Sequence, residues 1–250
     1  MRKFGLIGYP LGHSFSKKYF TEKFQSEHII DCLYENYPLK SLDGLREMVA
    51  EDYELCGLNV TIPYKSEIIR LLDIIETEAE EIGAVNVIKI KRTGSLVKLI
   101  GFNSDVTGIR DTLLPFITEN VRNALVLGTG GSSKAVCHVL NMIGLKVNLV
   151  SRNRKPGVLN YSDIDSEIIE YTQLIVNTTP LGMFPNIENS PDIDYKKLNS
   201  NHILFDLVYN PEFTSFLRMG AEQGCRILSG IKMLHSQAEK SWEIWNSDSI

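Results

Sequence analysis

"NALVLGTGGSSKAVCHVL", Asn123 to Leu140, decides how the chain is read. Asn123 to Leu127 is an apolar run of strand length. Gly128, Gly130 and Gly131 follow at once, and Ala135, Val136, Val139, Leu140 and Ile143 then recur at the spacing of one helix face, with Gly144 placed to end it. Strand, glycine turn and helix in that order are the context in which a dinucleotide fingerprint works. Its first glycine permits the tight turn, its second lets backbone approach a pyrophosphate, and the helix N-terminus offers amide donors and partial positive charge. The third glycine of GxGxxG is Ser133 here. On this motif alone, a glycine-rich turn that holds no ligand remains open.

The next strand, "VNLV", ends in "SRNRK", Ser151 to Lys155. A protein that binds NAD usually sets an acid there to accept from the ribose hydroxyls, whereas NADP calls for arginine to meet the 2′-phosphate. Ser151 stands where the acid would be, and Arg152, Arg154 and Lys155 follow. A guanidinium pairs with a phosphate through two donors and a carboxylate repels it, so the loop favours NADP over its alternative, a solvated basic turn. "QLIVN", "ILFDLVY" and "RIL" supply the later strands.

Upstream, strand and helix signals alternate. Phe4 to Gly8 reads as a strand; in the segment after it Ser16 is the expected N-cap of a helix with Tyr19, Phe20 and Phe24 on one face. Cys32 to Tyr34 resumes a strand, and Leu42, Leu45, Met48 and Val49 mark a helix. Leu58 to Ile62 is a strand again, and a helix after Pro63 carries Ile68, Ile69 and Leu72 inward. A helical segment from Glu76 to Ile82 meets Gly83, and "AVNVIKI" and "SLVKLIG" read as two strands joined by a turn at Thr93 and Gly94. This is the grammar of an α/β fold with a parallel sheet and one antiparallel edge. Two domains are expected, near 1 to 100 and 104 to 229, with the helix "KMLHSQAEKSWEIW" returning to one of them.

Composition bounds the function. With 250 residues, 43% hydrophobic and 23% charged, the chain can build one large core or two smaller ones. A formal charge of −5 and no basic stripe argue against nucleic acid as a partner. No apolar stretch approaches the length of a membrane span, and the N-terminal apolar run is broken by Gly5, Gly8 and Pro10, so the expected location is the cytoplasm. Cys32, Cys56, Cys137 and Cys225 are widely spaced in apolar settings and read as reduced core residues. The five histidines show no HxxxH or HExxH spacing, and no metal is expected.

"GLNVTIPYK", Gly57 to Lys65, begins as a strand and delivers an ammonium group at its tip. Asp105, in "GFNSDVTG", is its candidate partner. Reduction of a carbonyl by hydride needs a proton donor or a positive group at the nascent alkoxide. An ordinary lysine, with a pKa of about 10.4, carries its proton at neutral pH and can serve. A surface lysine beyond a strand is the plain alternative for Lys65 taken alone.

Its companions are more specific. "GYPLGHSFS", "NVTIPYK", "GAVN", "NSD", "GTGGSSKA", "NTTPLGM", "DLVYNP" and "GIKMLHSQA" occur in order along nearly the whole chain, which thereby closely resembles the shikimate dehydrogenases. The resemblance implies reversible reduction of 3-dehydroshikimate to shikimate by NADPH, on the route to chorismate and the aromatic amino acids. It implies a substrate-binding and catalytic domain of residues 1-103 plus 231-250 and a Rossmann-like, doubly wound NADP-binding domain of 104-230, with the active site in the cleft between them. Lys65 and Asp105 would be the catalytic pair. Ser14, Ser16, Thr61, Asn86, Tyr209 and Gln237 would surround the substrate, whose carboxylate and hydroxyls suit small hydroxyl and amide groups. Gly128, Gly130, Gly131, Ser151, Arg152, Arg154, Thr178, Leu207 and Gly230 would face the cofactor, and Asn59 and His13 would hold loops in shape. The oligomer implied is a monomer or homodimer.

The chain departs from that family's pattern twice. Its usual "NTD" is "NSD", and its "NRT" at the cofactor phosphate is "SRN", which keeps the arginine and alters both neighbours. A quinate/shikimate dehydrogenase using NAD or NADP shares most of these motifs, and the basic "SRNRK" loop separates it by leaning to NADP. A nucleotide-sensing module without turnover is the alternative of another kind; the presence of both Lys65 and Asp105 counts against it.

Overall fold

The computed structural model describes residues 1–11, 15–94 and 96–248. The chain forms two compact units, one of Met1–Ser104 with Ala238–Ile250 and one of Asp105–Gln237.

The first unit holds strands β1 (Arg2–Gly8), β2 (Cys32–Pro38), β3 (Leu55–Val60), β4 (Ile74–Ile75), β5 (Val87–Thr93) and β6 (Leu96–Phe102), ordered β2-β1-β3-β5-β6-β4 in one sheet. β1 runs parallel to β2 and β3, and β4 runs parallel to β6. β5 is antiparallel to both β3 and β6. The antiparallel strand expected at an edge therefore lies inside the sheet, because the tight turn at Gly94 returns the chain directly alongside β5. Pleating sends alternate residues of one strand to opposite faces. Phe4 and Leu6 of β1 pack with Phe20 and Phe24 of helix α1 (Phe15–Ser26), whereas Ile7 joins Leu45 and Val49 of α2 (Leu45–Glu51) and Ala79 of α3 (Thr77–Ile82).

Several local expectations change. α1 begins at Phe15, so Ser16 sits in its first turn and is not its cap. Leu42 is buried but precedes α2. After Pro63 only a 3-10 turn forms, Glu67–Leu71, with Ile68 buried and Ile69 and Leu72 partly so; Ser66 makes no side-chain cap and Leu72 is already extended toward β4. α3 is bounded as expected. Glu76 accepts from the Glu78 and Ala79 backbone N–H groups, and Gly83 ends it in the left-handed region.

The second unit is a sheet of β7 (Asn123–Leu127), β8 (Lys146–Ser151), β9 (Leu159–Asn160), β10 (Leu174–Asn177), β11 (Ile203–Asp206) and β12 (Arg226–Leu228). All of its pairings are parallel, in the order β12-β11-β10-β7-β8-β9. Chain order reverses between β7 and β10, which is the doubly wound arrangement with its switch point there. α5 (Gly131–Met142) packs on β7, β8 and α4 (Asp105–Leu113). α6 (Ser166–Tyr171) and α7 (Ser215–Glu222) bring Ile169, Phe216 and Leu217 to Leu125, Ile175 and Leu204 on the other face. The strand expected over "ILFDLVY" ends at Asp206, where the carboxylate turns the chain.

Helix α8 (Ile231–Asn246) runs unbroken from the second unit into the first. All four cysteines are free, but only Cys225 is buried; the other three are half-exposed, less enclosed than their apolar neighbours in sequence imply. No helix among the described residues is long and apolar enough to cross a membrane.

Candidate functional site

In an open α/β sheet, ligands gather where strands end. In the first unit the carboxyl ends of β1 and β3 coincide with the start of antiparallel β5 and the end of β6. The Thr61 N–H donates to Ile7 O (2.9 Å), Tyr9 N to Ile62 O (3.1 Å), Val60 N to Asn86 O (2.8 Å), and Asn86 N to Phe102 O (3.1 Å). Lys65 closes the loop after β3. Its carbonyl accepts from Val85 N (2.7 Å), and the buried Tyr64 before it donates its phenol to Leu39 O (2.7 Å). Thr61, half-buried Lys65 and buried Asn86 thus stand at one end of one sheet.

Behind them runs a buried chain of polar side chains. Tyr34 donates to Asn59 Oδ1 (2.8 Å), and Asn59 Nδ2 donates to Ser241 Oγ (2.9 Å) and Asn86 O (3.3 Å). Ser241 Oγ lies 3.2 Å from Ser104 Oγ. Asn86 Nδ2 donates to Ser104 Oγ (3.0 Å), and Asn86 Oδ1 accepts from Ser104 N (2.7 Å). Burial pushes the ionisation of Tyr34 far up, and Ser16 lies half-buried in the first turn of α1. Ser14 and His13 lie outside the described residues.

In the second unit Asp105 is the first residue of α4, buried, where the helix dipole favours a carboxylate. Tyr209 is half-buried beyond β11, and its phenol is shifted up by that burial. Gln237 is half-buried in α8 and donates to Leu234 O (2.9 Å).

The glycine loop occupies the switch point. Gly128 has φ +114°, and a Cβ there would meet Thr178 Oγ1 at 2.5 Å, so glycine is required twice over. Thr178, at the end of β10, donates through Oγ1 to Leu127 O (2.7 Å). α5 starts at Gly131 with Gly130 as its N-cap, and no side chain caps it. Nothing lies within 4 Å of a Cβ built on Gly130. A helix N-terminus with no side-chain cap, fronted by open space, fits a pyrophosphate. The basic loop adjoins it, since Lys155 Nζ donates to Thr129 Oγ1 (3.2 Å). Ser151 is buried at the end of β8 and its hydroxyl accepts from Asn153 N (3.2 Å), whereas Arg152 and Arg154 are exposed. Gly230 presses against Leu207, with only 2.5 Å from its built Cβ to Leu207 O.

Sequence reasoning did not single out the group that shapes this end of the sheet. Asp206 is fully buried. Its Oδ1 accepts from Val208 N (2.9 Å) and Asn177 Nδ2 (3.0 Å), its Oδ2 from Thr214 Oγ1 (2.6 Å). Burial pushes its carboxyl up to about 7, against those three donors. Asn177 Oδ1 in turn accepts from Thr179 N (3.0 Å), so one acid orders the loops after both β10 and β11. An acid closing an apolar strand, in "ILFDLVY", was the available signal. Asn160 was missed as well: its Nδ2 donates to Ser151 O (3.2 Å) and Arg152 O (2.9 Å). A depression of about 530 Å³ lies at the opposite, amino ends of the second sheet, lined by Phe116, His202 and Arg226 among others, and none of the expected site residues lines it.

Residues 6–88 match the family model of the shikimate dehydrogenase substrate binding domain. Over 260 residues, 98% of this chain and 93% of the relative, the sequence is 36% identical to a shikimate dehydrogenase (NADP(+)) of Clostridium perfringens. It is 35% identical over 257 residues to one from Methanococcus aeolicus, covering 96% of this chain and 90% of that one. Among solved structures, shikimate dehydrogenase 1 of Peptoclostridium difficile superposes with a TM-score of 0.82 at 36% identity, covering 100% of this chain and 93% of its own. The Thermus thermophilus enzyme in complex with NADP(H) and shikimate gives 0.82 at 29% identity, over 98% and 94%.

Proposed function

Because the chain belongs to the shikimate dehydrogenase family, we propose that it reversibly reduces 3-dehydroshikimate to shikimate with NADPH, on the way to chorismate and the aromatic amino acids. The observation that carries this is the α5 N-terminus, free of any side-chain cap and open at Gly130, with arginine and no acid just beyond β8. Gly128, Gly130 and Gly131 would hold the pyrophosphate, Arg152 and Arg154 the 2′-phosphate, and Ser151, Thr178, Leu207 and Gly230 the rest of the cofactor. NADPH, when bound, supplies the hydride.

The chain's own residues do the remainder. Lys65 donates a proton to the carbonyl oxygen as the new C–H bond forms, and stabilises the negative charge developing there. Asp105, the other member of the pair at the start of α4, would be the counter-charge that orients that ammonium. In the reverse direction oxidation of the alcohol releases a proton, so it gains from alkaline solution. Thr61, Asn86, Ser14, Ser16, Tyr209 and Gln237 orient the ring through its hydroxyls and carboxylate. The first unit is assigned to substrate and the second to cofactor, in a monomer or homodimer acting on small molecules in the cytoplasm.

The test is nicotinamide absorbance with purified protein, shikimate or quinate as substrate and NADP or NAD as acceptor. Rapid NADP reduction with shikimate alone is expected. Comparable rates with quinate or NAD would move the chain to the broader quinate/shikimate class, and cofactor binding without turnover to a sensing role.

A further inference from the structure

We propose that Tyr34 and Ser241 are positioning residues for the substrate: links of one buried hydrogen-bonded chain that leads to Asn86, the side chain that meets the ligand. The proposal rests on the shikimate reaction assigned above. The chain draws on separate elements: β2 gives Tyr34, β3 Asn59, α8 Ser241, the exit of β6 Ser104 and the entry to β5 Asn86. Its interior links are sealed. Tyr34 is 1% exposed, and Ser104 and Ser241 are both 0% exposed.

Each link constrains the next. The Tyr34 ring stacks on Phe20, with centroids 4.6 Å apart and planes at 13°, so its hydroxyl has one direction available. Because Asn59 Oδ1 accepts that hydroxyl, the amide must turn its Nδ2 to Ser241 and to the Asn86 carbonyl. Asn86 is fixed likewise, with Oδ1 toward Ser104 N and Nδ2 toward Ser104 Oγ. A core needing only stability is served as well by apolar groups of the same shape, because the net gain from a buried hydrogen bond is small and an unmade one costs more. What the polar chain adds is orientation, and it ends in Asn86, at the end of the sheet where β1 and β3 finish. Ser104 is also the residue immediately before Asp105, so the same links fix the backbone that leads into α4.

The test compares Ser241→Ala and Tyr34→Phe with the unmodified protein for the KM of shikimate, the KM of NADP and kcat. Ser241→Ala leaves Asn59 Nδ2 and Ser104 Oγ each a partner short, while Tyr34→Phe keeps the stacked ring and removes only the hydroxyl. In both, shikimate KM is expected to rise about tenfold, the usual scale of one lost buried hydrogen bond, with NADP KM within about twofold. The chain's two tryptophans, Trp242 and Trp245, lie in the first unit's core, so their fluorescence reports whether that unit is folded in each variant. If Ser241→Ala melts below the assay temperature, Tyr34→Phe is decisive. Native fluorescence with an unchanged shikimate KM would overturn the proposal, as would equal losses for substrate and cofactor. An unmodified protein that binds NADP but never oxidises shikimate would overturn the reaction itself.

Discussion

Arg152 and Arg154 stand two positions apart and are held differently. The Arg154 guanidinium lies 3.5 Å from Asp163, while Arg152 is anchored through its carbonyl by Asn160. The fixed backbone makes Arg152 the stronger candidate for the 2′-phosphate, since the exposed pair at Arg154 is worth little either way. Arg152→Ala should weaken NADP by about tenfold or more relative to NAD, the scale of a charge-assisted contact, and Arg154→Ala by far less; titration of both nucleotides checks it, and equal losses for NADP and NAD would remove Arg152 from that role. Lys65→Ala should lower kcat by about 10²- to 10⁴-fold with NADP affinity kept, and near-normal turnover would exclude Lys65 from the chemistry. Asp206 sets a pH dependence. Its folded carboxyl titrates near 7, above the ordinary carboxylate value of 3.8, so the folded chain binds the proton more tightly. The resulting destabilisation is absent below the lower value and complete above the higher, and stability falls with rising pH between about 4 and 7. Asp206→Asn should flatten that part of the urea-midpoint profile; an unchanged slope would assign it to other groups. The exposed arginines were legible in sequence because their chemistry faces outward. Asp206 and Asn160 were not, because a residue that binds loops together is defined by partners far along the chain.

Between elements, α8 lies hard against β3. A Cβ on Gly57 would fall on the Trp245 indole, which donates through Nε1 to Ile88 O (3.0 Å) and stacks on Phe4. Gly57→Ala should therefore cost about 1–3 kcal/mol as an overpacking change, read as a lower denaturation midpoint; full stability would mean that α8 shifts without penalty. Gly57 was read as the opening of a strand, and its neighbour could not be known, since the Trp245 contact spans the whole chain. Elements with strong periodicity and marked ends were legible: β7, the glycine turn and α5 nearly to the residue, and α3 between Glu76 and Gly83. α4, α6 and α7 were missed. α6 has only six residues and α7 eight, and short helices owe more to packing than to pattern.

At the scale of the whole molecule, α8 has no break where it leaves one unit for the other. Unfolding either unit alone would interrupt that helix, so one cooperative transition is expected. Tryptophan fluorescence and far-ultraviolet dichroism should melt together, and NADP at a hundred times its dissociation constant should raise both midpoints, in line with about 2.7 kcal/mol of linked stabilisation. Two separate transitions would show that the units unfold independently. The alternation of strands and helices was enough to read two α/β units; the inner place of β5 was not, because strand order within a sheet is a long-range property. The division of the chain also bears on how it is born. The unit Asp105–Gln237 is one continuous stretch, made without interruption. The other unit is begun first, yet Phe4 and Phe20 wait for Ala238, Ile244 and Trp245 to cover them. Its end is stitched to its beginning, with Arg2 donating to Asn246 Oδ1 at 2.8 Å. The segment made before the second unit is thus completed after it, and until residues 238–246 emerge its bare apolar face is what a chaperone would meet.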